Sequence, residues 1–123
     1  MADRRQNLQV KDKMNSAPQI TPSQVKELLD QQADFVLLDV REQVEFDIAR
    51  IAEGRLLPMS EIQMRIGELQ PDRDQRIVVY CHHGGRSQQV ADWLMMQGFA
   101  QVENMFGGID RWSQEVDPAV PRY

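Results

Sequence analysis

The chain has a single cysteine, no long apolar run, no internal repeat and no excess of basic residues, and each shortage removes a class of protein. One cysteine excludes an internal disulfide and fits a reducing compartment, where a reactive thiol survives. No apolar stretch approaches the roughly 18 residues of a membrane helix, and Met1 to Pro18 lacks the apolar core of a secretory signal. A cytoplasmic location without a membrane partner is therefore expected. Acidic residues outnumber basic ones, 19 to 14, for a formal net charge of −5. Within Met1 to Pro18 the balance is reversed, with Arg4, Arg5, Lys11 and Lys13 against Asp3 and Asp12, so the acid excess lies entirely in the remainder. Binding nucleic acid requires a basic surface to neutralise phosphates, and that remainder does not offer one.

What is present suits one globular domain: 123 residues, 41% hydrophobic and 27% charged. Residues 1–18 read as a solvated, disordered leader, 19–117 as the folded domain, and 118–123 as a tail along the surface. Ile20-Thr21-Pro22-Ser23-Gln24-Val25 signals a helix start, with Thr21 as N-cap, Pro22 at N1, Gln24 closing a capping box and Ile20 stapled to Val25. Phe35 to Val40 is an apolar run broken only by Asp39, as in a strand covered on both faces. Glu42 to Ile48 predicts a short helical turn. Ser60 and Gln63 predict a second capping box, opening a helix with Ile62, Ile66 and Leu69 inward and Pro71 at its end. Gln101 to Met105 reads as a strand, and Gly107-Gly108 as the turn into a last helix with Ile109, Trp112 and Val116 on one stripe. Trp93 and Trp112 read as core. Strands alternating with helices at these lengths predict an α/β fold, a parallel sheet of about five strands with helices on both faces.

The one cysteine stands where a strand gives way to a helix. Ile77 to Tyr80 is a β-branched and aromatic run, and Val90, Trp93 and Leu94 recur at helical spacing before Gly98. Cys81 to Arg86 must bridge the two, at the junction where open α/β sheets place ligands and nucleophiles. His82 to Ser87 provide six successive backbone N–H groups with no proline, and Gly84 and Gly85 permit the φ > 0 conformations that curl such a run inward. The expectation is a ring of donors around the Cys81 sulfur, with Arg86 and protonated His82 or His83 as cations. Such surroundings favour the thiolate, the nucleophilic form of a cysteine. A thiolate so held can carry a sulfur or phosphoryl group as a covalent intermediate, and the same ring would stabilise the terminal sulfur of a persulfide. Two plainer readings compete. A lone cysteine at a strand end is commonly an inert core thiol, but burying a small hydrophobe does not require a tight polar loop after it. Cys81, His82 and His83 are also metal-ligating types. Adjacent residues do not readily turn onto one ion, however, and no second CxxC or HxxxH cluster completes a site, so neither metal nor cofactor is expected.

Cys81-His82-His83-Gly84-Gly85-Arg86, followed by Ser87, resembles the six-residue active-site loop of the rhodanese family, Cys-x-x-Gly-x-Arg. Leu37-Leu38-Asp39-Val40-Arg41-Glu42 with Glu45-Phe46 is similar to that family's first block, and Gly98-Phe99, Val102, Asn104-Met105, Gly107-Gly108 and Trp112 to its last. Together the blocks run in order from about Ile20 to Trp112. Two stretches depart from the pattern. Ala49-Arg50-Ile51-Ala52-Glu53-Gly54 replaces the family's usual Gly-His-Ile-Pro-Gly-Ala, and His82 stands where many members carry arginine or lysine, which would make the loop charge depend on pH.

The resemblance implies a rhodanese-like fold and a cytoplasmic sulfurtransferase that uses no cofactor. Cys81 would be the cysteine nucleophile, taking sulfane sulfur from a small donor such as thiosulfate and passing it from the persulfide to cyanide or a thiol. His82, His83, Gly84, Gly85, Arg86 and Ser87 would form the substrate loop, with Arg86 orienting the loop or an anionic donor. The Gly-x-Arg ending implies thiosulfate rather than mercaptopyruvate. Asp39 and Arg41 read as a supporting ion pair that braces the loops. A persulfide carrier that docks with a sulfur-relay protein is the alternative. Cysteine phosphatases use Cys-x5-Arg, one residue longer, to fit a phosphate, so phosphatase or arsenate reductase chemistry is less favoured.

Overall fold

In the computed structural model residues 16–123 are described; the leader expected over 1–18 lies largely outside them. The last residues of that expected leader are tied down instead: the Ala17 N–H donates to Asp92 at 2.7 Å, and Ala17 is buried. The chain forms β1 (Gln19–Ile20), α1 (Pro22–Asp30), β2 (Phe35–Asp39), α2 (Gln43–Ile48), β3 (Arg55–Leu56), α3 (Ile62–Arg65), β4 (Arg76–Tyr80), α4 (Gly85–Met96), β5 (Gln101–Met105) and α5 (Gly108–Glu115), with two 3₁₀ turns between α3 and β4. All pairings in the sheet are parallel, in the order β1-β5-β4-β2-β3. A parallel sheet with helices on both faces is thus observed, as the alternation of elements predicts.

Strand periodicity divides the core in two. Leu38, Val40, Ile77, Val79, Cys81 and Val102 face α3 and α4, packing with Ile62, Val90, Ala91 and Leu94. Leu37, Val78, Tyr80 and Met105 face α1 and α5, packing with Val25, Ile109 and Trp112. From the central pair β2 and β4, the chain proceeds outward in opposite directions, through α2 to β3 and through α4 to β5. Their carboxyl ends therefore flank the crevice that this class of sheet leaves open at its topological switch point.

Local signals succeed or fail by their neighbours. Thr21 caps α1, with Gln24 completing the box and Pro22 in the first turn, as the sequence predicts. The second capping box does not form. The N-cap of α3 is Glu61 without a side-chain bond, while the Ser60 hydroxyl donates to Glu42 at 2.7 Å; a tertiary acceptor has outcompeted the local one. The helix is consequently short, although Ile62 and Leu69 still point inward. Trp112 is core, but Trp93 is half-buried beside a surface groove. Nor does the end of the chain simply lie along the surface: Val120 is buried in the α1/α5 core. Among the described residues no helix is long and apolar enough to cross a membrane.

Candidate active site

β4 carries Cys81 to the carboxyl edge of the sheet, and the loop that follows climbs into α4. Gly84 makes the turn at φ +109°, which a side chain disfavours. The amides of Ile109 and Asp110, at the start of α5, donate to the carbonyls of Cys81 (2.9 Å) and His82 (3.1 Å), pinning those oxygens away from the sulfur. Gly108 permits this approach, since a Cβ there would strike both carbonyls.

The Cys81 sulfur accepts from the Gly84 N–H at 3.1 Å, the Ser87 N–H at 3.4 Å and the Ser87 hydroxyl at 3.3 Å. The expected ring of six amides is thus two amides and a hydroxyl. The amides of His82, His83, Gly85 and Arg86 donate to no protein group. Cys81 is only 1% exposed and its side chain packs into the α3/α4 core, so burial alone would fit an inert thiol; three donors on the sulfur do not.

Behind the loop, Ser87 joins a buried polar chain. Asn104 turns its Nδ2 toward the Gln19 side chain at 3.0 Å, the Gln88 side chain at 3.2 Å and the Gly84 carbonyl at 3.3 Å. Its Oδ1 must then face Ser87, which lies 2.5 Å away. A hydroxyl has one proton, and Ser87 has three acceptors within reach, the Asn104 Oδ1, the Gly84 carbonyl at 3.2 Å and the sulfur; negative charge on Cys81 favours the sulfur.

Arg86 is held by Glu45 in a two-pronged pair, 2.7 and 2.8 Å long. That pair, helped by the Glu42 N–H and the Tyr123 hydroxyl and opposed by burial, drops the Glu45 pKa to about 2. Arg86 thus braces the loop, and its planar fork is already engaged by Glu45. Asp39 and Arg41 are both wholly buried; Arg41 binds Asp39 at 2.6 and 2.9 Å, the Ala49 carbonyl at 2.7 Å and the Tyr123 hydroxyl at 2.9 Å. Burial works against the Arg41 charge, but Asp39 and Tyr123 outweigh it and raise the pKa. The segment that departs from the family pattern closes this pair from outside, Ala49 and Ile51 being buried.

His82 does not act as expected. His82 is pushed below its ordinary pKa by burial and then by its neighbour His83, so a protonated His82 is not the loop's cation at neutral pH. His83 is exposed, with Nδ1 4.0 Å from Asp110. Among the described residues, no group of three His, Cys, Asp or Glu side chains could hold a metal ion.

A family model for the rhodanese-like domain matches residues 21–115. The chain belongs to that family. It is 39% identical over 87 residues to a sulfurtransferase of Allochromatium vinosum, spanning 71% of this chain and 79% of that one. It is 37% identical over 79 residues to the thiosulfate sulfurtransferase GlpE of Coxiella burnetii, spanning 64% of this chain and 72% of the other. Against a longer relative, the chloroplastic rhodanese-like/PpiC domain-containing protein 12 of Arabidopsis thaliana, identity is 39% over 110 residues and the chain spans only 36% of that protein. The crystal structure of a rhodanese-related protein from Thermoplasma volcanium superposes with a TM-score of 0.73 at 29% identity, covering 86% of this chain and 99% of that one.

Three residues of this rhodanese-like domain escaped the sequence reading as parts of the site. Glu45 and Asn104 stood inside the family blocks, but nothing local shows that one binds Arg86 and the other orients Ser87. Tyr123 lies 42 positions beyond Cys81 in a proline-flanked tail, yet its ring stacks on His82 at 3.9 Å and its hydroxyl reaches Glu45 at 3.0 Å. A lone aromatic at the end of a polar segment was the available signal.

Proposed function

We propose that this rhodanese-like domain is a sulfurtransferase working through a persulfide on Cys81. The thiolate attacks the sulfane sulfur of a donor. With thiosulfate a new bond forms between Sγ and that sulfur, the donor's S–S bond breaks, and the electron pair leaves on sulfite. Cyanide or a thiol then takes the terminal sulfur, as thiocyanate or a new persulfide, and the thiolate returns. The observation that carries this reading is the set of donors on Sγ combined with four neighbouring loop amides that bond to no protein group, a ready cradle for a second, anionic sulfur. Ser87 follows the charge by turning its proton from Asn104 to the sulfur. His83, Gly84 and Gly85 contribute backbone, and Arg86, held by Glu45, fixes the loop rather than the donor. Sulfurtransferases among the relatives support the same chemistry.

The test is thiocyanate formation from a sulfane donor and cyanide, measured beside Cys81→Ser. Cys81-dependent turnover is expected; equal background rates in both proteins would refute it. A relay in which the loaded domain delivers sulfur only to a protein partner is the second reading. It is favoured by relatives in which such a domain is a fraction of a longer chain. Stoichiometric loading without turnover would mark it.

A further inference from the structure

Around the Cys81 loop the described arginines have acidic partners. Arg41 pairs with Asp39 at 2.6 Å, Arg86 with Glu45 at 2.7 Å and Arg122 with Asp110 at 2.9 Å. His82, the residue next to the nucleophile, is packed rather than paired. Its ring lies 3.9 Å from that of His83 on one side and 3.9 Å from that of Tyr123 on the other, only 8° from parallel with the tyrosine. Its Nε2 is buried without a hydrogen-bond partner, and burial with the neighbouring His83 outweighs Asp110, Glu45 and the Tyr123 backbone, which favour a second proton.

Tyr123 is placed to maintain this state. Val120 anchors the tail in the core, Arg122 fastens it to α5 through Asp110, and the Tyr123 hydroxyl accepts from Arg41 at 2.9 Å and donates to Glu45 at 3.0 Å. One side chain therefore covers His82 and braces the carboxylate that neutralises Arg86.

Donors of different charge meet this loop unequally. With thiosulfate, thiolate plus dianion become a persulfide anion plus sulfite, three negative charges throughout. With the persulfide of a small thiol, R–S–SH, the Sγ–S bond forms and the donor's S–S bond breaks. The electron pair then leaves on R–S⁻, and the Cys81–S–SH so formed gives its proton to water. That step carries a single negative charge at the reacting sulfurs. Backbone dipoles without net side-chain charge suit the second better than the first.

We infer that Tyr123 is a specificity-determining residue: by packing its ring on His82 and holding it against His83, it leaves the residue beside the nucleophile uncharged and selects persulfides of small thiols over dianions such as thiosulfate. This rests on the sulfur-transfer reading. The groups facing His82 are His83 on the loop, Glu45 on α2, Asp110 on α5 and the ring and backbone of Tyr123 on the tail.

The test follows sulfur gain on Cys81 by intact mass under quenched, single-turnover conditions. The donors are thiosulfate and cysteine persulfide prepared from cystine and sulfide, compared near pH 6 and pH 8. The readout is the ratio of the two loading rates. His82→Lys should shift it toward thiosulfate by about 10-fold at both pH values, and Tyr123→Ala by about 5-fold near pH 6 alone, as the uncovered His82 gains its proton. Tyr123→Phe, which keeps the ring, should behave as the parent at both pH values. A ratio unmoved by His82→Lys and by Tyr123→Ala would overturn the selectivity while leaving sulfur transfer intact. No sulfur gained from either donor would overturn the sulfur-transfer reading and this inference with it.

Discussion

Strands β2 and β4 lie side by side and end at the same crevice, one delivering Arg41 and the other Cys81, but the two ends are finished differently. At the β2 end the buried guanidinium is filled by Asp39, two carbonyls and the Tyr123 hydroxyl. At the β4 end the sulfur is met by three donors, while four further amides point at nothing in the protein. Amides left without partners at a helix start, opening to solvent beside a buried sulfur, are where an anion is to be sought. The difference teaches how to separate a supporting charge from a reactive one in equally buried positions. Burial is uninformative here, at 0% exposed for Arg41 and 1% for Cys81; unfilled hydrogen-bonding capacity is not.

If that distinction holds, variants at the two ends should fail in different ways. Cys81→Ser should lower sulfur loading by more than about 10³-fold, with a stability change within about 1 kcal/mol, read by intact mass and urea unfolding. Asp39→Asn should do the reverse, costing about 3–5 kcal/mol in urea unfolding because it strands a buried Arg41 charge. Little destabilisation there would erase the contrast. Between the two lies Ser87→Ala, which removes one donor from the sulfur and the partner of Asn104. Loading about 10-fold slower at a stability cost of about 1 kcal/mol is expected, and an unchanged loading rate would remove the hydroxyl from the chemistry.

The smallest effect concerns acid. Glu45, an ordinary carboxylate near 4.5 when unfolded, is held at about 2 in the fold, chiefly by Arg86. A lowered folded pKa adds stability that is complete above 4.5 and is lost as pH falls toward 2. The stability gap between the parent and Glu45→Gln should therefore narrow over that window and be constant above it. A gap that stays constant through the acid range would mean that the Glu45 carboxylate gains nothing from folding.

What the sequence made legible follows from how local each interaction is. The β-branched run at Ile77 to Tyr80, the Thr21–Gln24 cap and the strand-to-helix position of Cys81 are each written within a few residues. The Ser60–Gln63 box has the same local grammar and failed, because Glu42, eighteen positions away, offers Ser60 a better acceptor. The site divides along the same line. Curling of the loop could be read from Gly84, but which amides reach the sulfur depends on α5 drawing off the carbonyls of Cys81 and His82. The state of His82 is not legible for a related reason: its neighbours in sequence predict an ordinary titration, whereas the Tyr123 ring that covers it comes from 41 positions away.

The most direct measurement is peptide mass mapping of the protein after exposure to a persulfide donor, with the thiol shown beforehand to be free. One additional sulfur on the peptide bearing Cys81, removed by cyanide and absent from Cys81→Ser, is the expected result. A demonstrably free thiol that takes up no sulfur would contradict the claim that the unfilled amides of this loop are a cradle for it.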